Sequence, residues 1–256
     1  MIIGDPCRLT CPYCGGHKDI LSLSSGNTFN LTYWSDGKWE YPMLPSPSPI
    51  QYCPHCGKYY YYDDAEKSMV DVNVEEDDVA YLQAQKDSIL YFPDSIESPE
   101  EEKKREEKFR RKLELQREAW ENGWGELTFE QMDEAFEQLF IEGTNEEGNS
   151  SLLIWWLYKY NDELGGRCGD GSVKEASESV SKRHAYVIAQ LMAQDIDPLF
   201  LAELHREMGN FEKCIELASA YIGGDDAEAD FAAKQIIEQA RRKNTHVFPF
   251  VDLPKD

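Results

Sequence analysis

At 256 residues the chain has room for one or two domains, and 41% hydrophobic with 12% aromatic residues is enough to bury a core. The net charge of −23 leaves no basic footprint for a phosphate backbone, which counts against a nucleic-acid role. The longest apolar run, residues 152–158, is far too short to span a bilayer. Met1-Ile2-Ile3-Gly4-Asp5 has neither the positive start nor the apolar middle of a signal peptide, so a cytoplasmic location with no membrane role is expected.

The first chemical signal is a pair of near copies, Cys11-Pro12-Tyr13-Cys14-Gly15 and Cys53-Pro54-His55-Cys56-Gly57, with 38 residues between Cys14 and Cys53. A Cys-x-x-Cys turn points two thiolates at one centre, and two such turns complete the tetrahedral four-cysteine set that structural Zn2+ prefers. Each closing glycine lets the backbone take a positive φ and turn amides toward sulfur. The expected metal ligands are therefore Cys11, Cys14, Cys53 and Cys56, with Zn2+ as the ion. A rival reading exists, because Cys-Pro-Tyr-Cys is also the redox tetrapeptide of glutaredoxins. Gly15-Gly16 is a poor way to begin the helix that such a site needs, however, and glutaredoxins have no place for a second matched motif. Cys7 reads as a small buried residue, and His17 and His55 as neighbours of a coordination sphere already filled by four thiols. Seven cysteines, four in metal spacing, suit a reducing compartment better than a disulfide framework.

Residues 18–62 read as antiparallel strands forming a three- or four-stranded ribbon with the metal at one end. Residues 28–34 alternate in β-formers, Asp36-Gly37 signals a hairpin and residues 38–41 return. Pro42, Pro45, Pro47 and Pro49 then form an extended loop unsuited to a central strand. Trp34, Trp39, Tyr60 and Tyr62 are candidates for an exposed aromatic platform, although a domain this small needs large side chains for its own core. Residues 1–64 carry four basic and six acidic side chains, so nearly all the negative charge lies beyond them.

Residues 77–92 suggest a helix, and the charge run over 97–122 a solvated connecting helix. Beyond it the pattern is helical. Thr128-Phe129-Glu130-Gln131 is a capping box. Residues 152–164 form an apolar helix for the centre of the core, 173–194 a helix with His184 on its inner face, and Asp197-Pro198 an N-cap with proline at the first helical position. Two further helices cover 211–222 and 225–243, and the apolar tail 247–251 packs back. The loop 165–172 is glycine-rich but lacks the spacing and lysine of a P-loop. A nucleophilic role for Cys168 would need a base, for which His184 and His205 are candidates only by existing.

Leu201-Ala202, Gly209-Asn210-Phe211 and Cys214 through Ala218 resemble a tetratricopeptide helix pair, with Cys214 where alanine is usual. Together with the paired CPxCG knuckles, they also resemble uncharacterised bacterial cytoplasmic proteins, a likeness that implies no activity. The expected fold is α+β: a small N-terminal antiparallel β zinc ribbon over 1–66, an acidic segment and charged linker helix over 67–125, and an all-α helical-hairpin, tetratricopeptide-like domain over 126–256. The expected function is a non-enzymatic zinc-binding adaptor for a protein partner, a basic one given the charge. The alternative is a thiol-based redox-responsive zinc switch. A nucleic-acid-binding ribbon and an enzyme using the helical domain rank below both.

Overall fold

The structure, a computed structural model, describes residues 1–70, 117–141, 146–164, 167 and 174–250, with isolated positions between 103 and 115. The helix expected at 77–92, most of the charge run from 97, Cys168 and most of the loop around it lie outside the described residues. The strands among them are β1 (Ile2–Ile3), β2 (Cys7–Thr10), β3 (His17–Ile20), β4 (Leu23–Ser25), β5 (Thr32–Tyr33), β6 (Trp39–Glu40), β7 (Ile50–Tyr52), β8 (Tyr59–Tyr61) and β9 (Glu66–Met69). The helices are α1 (Phe129–Phe136), α2 (Glu146–Glu163), α3 (Glu178–Met192), α4 (Pro198–Glu207), α5 (Phe211–Ser219) and α6 (Ala227–Arg241). Small antiparallel sheets followed by helices make an α+β chain. Two compact units emerge, Met1–Gly26 with Leu44–Glu126, and Asn27–Met43 with Leu127–Asp256. Neither is one continuous stretch of chain.

In the first unit the single ribbon expected from residues 18–62 is replaced by separate small sheets: β1-β4, β3-β2-β9 and β7-β8. Each CPxCG turn closes its own hairpin, β2 to β3 and β7 to β8. The proline-rich stretch between them can supply no ladder donors at its prolines. Strand β2 is built on period-2 alternation: Cys7 and Leu9 are buried, while Arg8 and Thr10 are half-buried. Leu9, Ile20, Cys11, Cys53, Tyr60 and Ala65 form the unit's core with Cys7. Residues 117–122 are helical, and the turn that follows is tied to the sheets. Asn122 Nδ2 donates to the Asp19 carbonyl at 2.8 Å, and the Leu21 amide donates to the Gly123 carbonyl at 2.8 Å.

In the second unit the hairpin forms where Asp36-Gly37 predicts. The Trp34 amide donates to Lys38 O at 2.9 Å and the Gly37 amide to Trp34 O at 3.0 Å, with Gly37 at φ +83°. This is the three-residue loop in which a left-handed glycine closes a bulge. The apolar tail packs back along β5. The Ser35 amide donates to Phe248 O at 2.9 Å, and the Phe250 amide to Tyr33 O at 2.8 Å.

Helix α1 starts at the predicted capping box, with Thr128 and Gln131 reciprocally bonded. Trp156 on α2 is fully buried beside Phe129 and Phe136, and its indole N–H donates to Asp133 at 3.0 Å. Helix α3 begins later than expected, because Ser177 caps it by accepting from the Val180 amide. Helices α4 and α5 form a pair joined through Gly209, at φ +75°. Ala202, Cys214, Ala218, Ala233 and Ala240 let α4, α5 and α6 approach closely around Ile236 and Phe248. Burial pushes the Cys214 thiol up to about 12, so it behaves as a small hydrophobe.

Buried charge runs through this unit. Asp36, at the hairpin tip, and Arg167 have side chains 0% and 1% exposed. Arg167 donates through both Nη atoms to the Asp36 carboxylate, Asn161 Nδ2 adds a bond at 2.9 Å, and the Lys38 amide another at 3.2 Å. The guanidinium lies over Trp34, 5.1 Å from the ring centre. Nearby, Arg206 pairs with Glu203, both side chains fully buried. Removing one partner of such a pair strands a buried charge. Asp36→Ala is expected to destabilise the helical unit by about 3 kcal/mol or more, measured as a shift in the urea midpoint of the far-UV circular dichroism transition.

Glu207 is also buried. Burial above all pushes its carboxyl up; His184 opposes this, while Glu203 and Asp36 add to it. The folded chain therefore holds this proton more tightly than the unfolded chain. Its contribution to stability falls as pH rises above the ordinary glutamate range, near 4.3. Glu207→Gln is expected to flatten the decline of stability with pH relative to wild type, read from urea midpoints across pH 4–8.

Candidate metal centre

Each cysteine pair sits at the tip of a hairpin, and the two tips share one hydrogen-bond pattern. The Cys11 amide donates to Gly16 O at 2.9 Å and the Gly15 amide to Cys11 O at 3.0 Å. The Cys53 amide donates to Lys58 O, and the Gly57 amide to Cys53 O, both at 2.9 Å. Gly15 and Gly57 both have φ +70°, a backbone region that side chains disfavour. Near-identical sequence thus gives near-identical knuckles. The Cys11 stretch is a turn between strands with no helix at its end, unlike the thiol-at-a-helix-start geometry of a glutaredoxin-type site.

The four sulfurs of Cys11, Cys14, Cys53 and Cys56 lie within 4.8 Å of one another. The Cys11 and Cys56 Sγ atoms are 3.8 Å apart, and those of Cys14 and Cys53 3.6 Å. A disulfide requires about 2.05 Å; all four are separate thiols. A tetrahedral ion with metal–sulfur bonds of about 2.3 Å places its ligands roughly 3.8 Å apart. The spacing, the all-sulfur donor set and two donors from each hairpin therefore fit a metal ion. Cys11 and Cys53 are buried, while Cys14 and Cys56 are exposed.

Crowding of the four thiols holds the Cys14 proton in place. The Gly16 amide donates to Cys14 Sγ at 3.4 Å. That bond lowers the Cys14 pKa, but desolvation and the thiols of Cys53, Cys56 and Cys11 carry it up to about 12. Four ligands this close resist ionising together unless a cation stands between them. Lys18, half-buried, donates to Gln51 Oε1 at 3.1 Å and Tyr52 O at 3.4 Å. Burial lowers it to about 8, partly offset by Cys53.

The remaining candidates separate. Cys7 lies in the core, its thiol raised chiefly by burial, and is not one of the clustered sulfurs. His55 Nε2 meets the His17 carbonyl at 2.9 Å, linking the two knuckles. Tyr60 is buried, whereas Trp39 is 45% exposed on its hairpin. His184 stacks on Tyr160 at 4.0 Å, with Nε2 3.9 Å from Glu207. Sequence reasoning misses the strands that frame the knuckles: β2, whose signal is the alternation Cys7, Leu9, Cys11, and β9, which is exposed throughout and has none.

Comparison with protein-family models, with curated proteins and with solved structures found no match. Among the described residues no helix is long and apolar enough to cross a membrane.

The contact between knuckles can be tested at Gly16. A Cβ there would lie 2.5 Å from His55 Cδ2. Gly16→Ala is expected to destabilise the first unit by about 1–3 kcal/mol, seen in thermal melts, with His55→Ala in the same chain relieving most of the loss.

Proposed function

We propose that the chain is a non-enzymatic zinc protein in which Cys11, Cys14, Cys53 and Cys56 hold one structural Zn2+, and whose acidic helical unit is an adaptor surface for a basic protein partner. The observation that carries the reading is the convergence of four sulfurs within 4.8 Å from two hairpin tips. A closed shell of four thiolates leaves no open position for a substrate, which is the mark of a structural rather than a catalytic zinc. The ion would join two hairpins that are otherwise separate small sheets, and its binding energy would become folding energy. The helical pair α4–α5, with its glycine turn and small inward residues, supports the tetratricopeptide-like reading, and the net charge of −23 supports a basic partner.

The expected result is one zinc per chain by elemental analysis, four thiols protected until a chelator is added, and loss of the first unit's folding on chelation. Cys11→Ser or Cys53→Ser should abolish stoichiometric zinc. Zinc binding by thiols releases protons, so retention against a fixed chelator should weaken as pH falls from 8 to 6. A purified chain without metal, or a first unit indifferent to chelator, would overturn the zinc reading.

The exposure of Cys14 and Cys56 favours a second reading, in which oxidant reaches these sulfurs and ejects zinc as a regulatory signal. Zinc retained under mild peroxide would exclude it.

A further inference from the structure

The helical unit contains a cleft of about 290 Å3, at the small end of the range for ligand pockets and suited to a side chain rather than a large cofactor. Its walls include four aromatic rings, Tyr33 from β5, Tyr158 from α2, Phe200 from α4 and Phe250 from the tail. Two carboxylates, Asp36 and Asp197, also line it, and among the described residues no lysine, arginine or histidine does. Asp36 is balanced by Arg167 behind it, so Asp197, exposed at the start of α4, supplies the uncompensated charge. After burial, Asp197, Asp36 and Glu228 in that order push the Tyr33 phenol up. The field at this ring is therefore negative. Aromatic faces with nearby carboxylates form the environment that attracts an ammonium or guanidinium group with an apolar stem.

Two of the lining rings, Phe250 and Tyr33, belong to a longer row of aromatic contacts. Phe250 lies 5.2 Å from Tyr33, Tyr33 stacks on Trp39 at 4.4 Å, and Trp39 stacks on Tyr41 at 5.9 Å with 6° between planes. Trp39 is 45% exposed. An exposed tryptophan stacked on a ring that lines an acidic pocket has the composition of a peptide-binding hot spot. The charge of the chain, −23, favours a basic occupant.

We propose that this cleft receives a lysine or arginine side chain from a basic protein segment, and that Trp39 and Tyr41 seat the residues flanking it. The proposal rests on the adaptor reading and gives it a site. Asp197 offers a clean test because its charge can be separated from its hydrogen bonds, one of which is with the Tyr221 phenol. Its Oδ1 caps α4 by accepting from the Leu199 and Phe200 amides at 2.8 and 3.1 Å, a job asparagine performs equally well, whereas only aspartate supplies charge.

The experiment is calorimetric titration of the full-length zinc-loaded chain with a lysine-containing Gly/Ser peptide and with the same peptide bearing norleucine for lysine. Binding of the lysine peptide alone is expected. It should weaken about fivefold in Asp197→Asn with an unchanged melting temperature, and weaken further in Trp39→Ala. Glu178→Gln removes an equal charge outside the cleft and is expected to leave affinity unchanged. Equal binding of the norleucine peptide would make the cleft merely apolar and overturn the proposal. So would binding of free tetramethylammonium as tight as that of the peptide, which would point to a small cation as occupant. Lysine-peptide binding that ignores Asp197→Asn and Trp39→Ala would move the site elsewhere, overturning the proposal and leaving the adaptor reading standing. Failure of every basic peptide on wild type would remove both.

Discussion

Four thiols confined within 4.8 Å are the constraint on which the first unit depends. Neutral thiols at this spacing gain little from one another, and thiolates repel. A metal ion would turn the same geometry into four bonds, adding to the buried cluster that contains residues of both hairpins. Their sheets are two and three strands wide, at or below the size at which an isolated sheet holds its shape in water. The buried cluster of Leu9, Ile20 and Tyr60 contributes apolar burial, but a core this small calls for a staple. The knuckle glycines and the His55–His17 contact position the four sulfurs.

The second unit is held differently. Small residues on α4, α5 and α6 permit close packing, while the aromatic group around Trp156 fills the space between α1 and α2. Through this apolar body runs a set of buried charges, Asp36 with Arg167 and Glu203 with Arg206. Buried ion pairs add little net stability against a well-packed apolar alternative, but they are unforgiving of mispairing. Here one of them fixes the tip of a hairpin from the N-terminal half of the chain onto the helices. That attachment brings Tyr33 and Asp36 into one cleft with Tyr158 and Phe200. The carboxylates and the rings of this cleft thus come from four distant stretches of sequence.

Local signals are legible where the physics is local. The CPxCG turns, the Asp36-Gly37 hairpin, the capping box at Thr128 and the N-cap at Asp197 all act within about four residues, and each forms where its residues stand. Periodicity places the start of α3 several residues too early, because it runs on through Val173 to Ser177, whereas the hydroxyl of Ser177 sets the boundary by capping. The expectation of one ribbon fails because strand propensity carries no information about partner. The strongest strand signal, residues 28–34, yields a strand only at Thr32–Tyr33, and that strand pairs within the helical unit instead.

By itself the sequence determined the four clustered thiols, the succession of strands then helices, and the net negative charge, since these depend on residue type and short spacing. Only the tertiary structure decided that Asp36 meets Arg167, that the tail runs beside β5, and that four rings and two carboxylates surround one cleft. Those pairings join residues more than a hundred positions apart. No pattern within one element can announce them, because the free energy that selects them comes from burial and charge compensation achieved only when the whole unit closes.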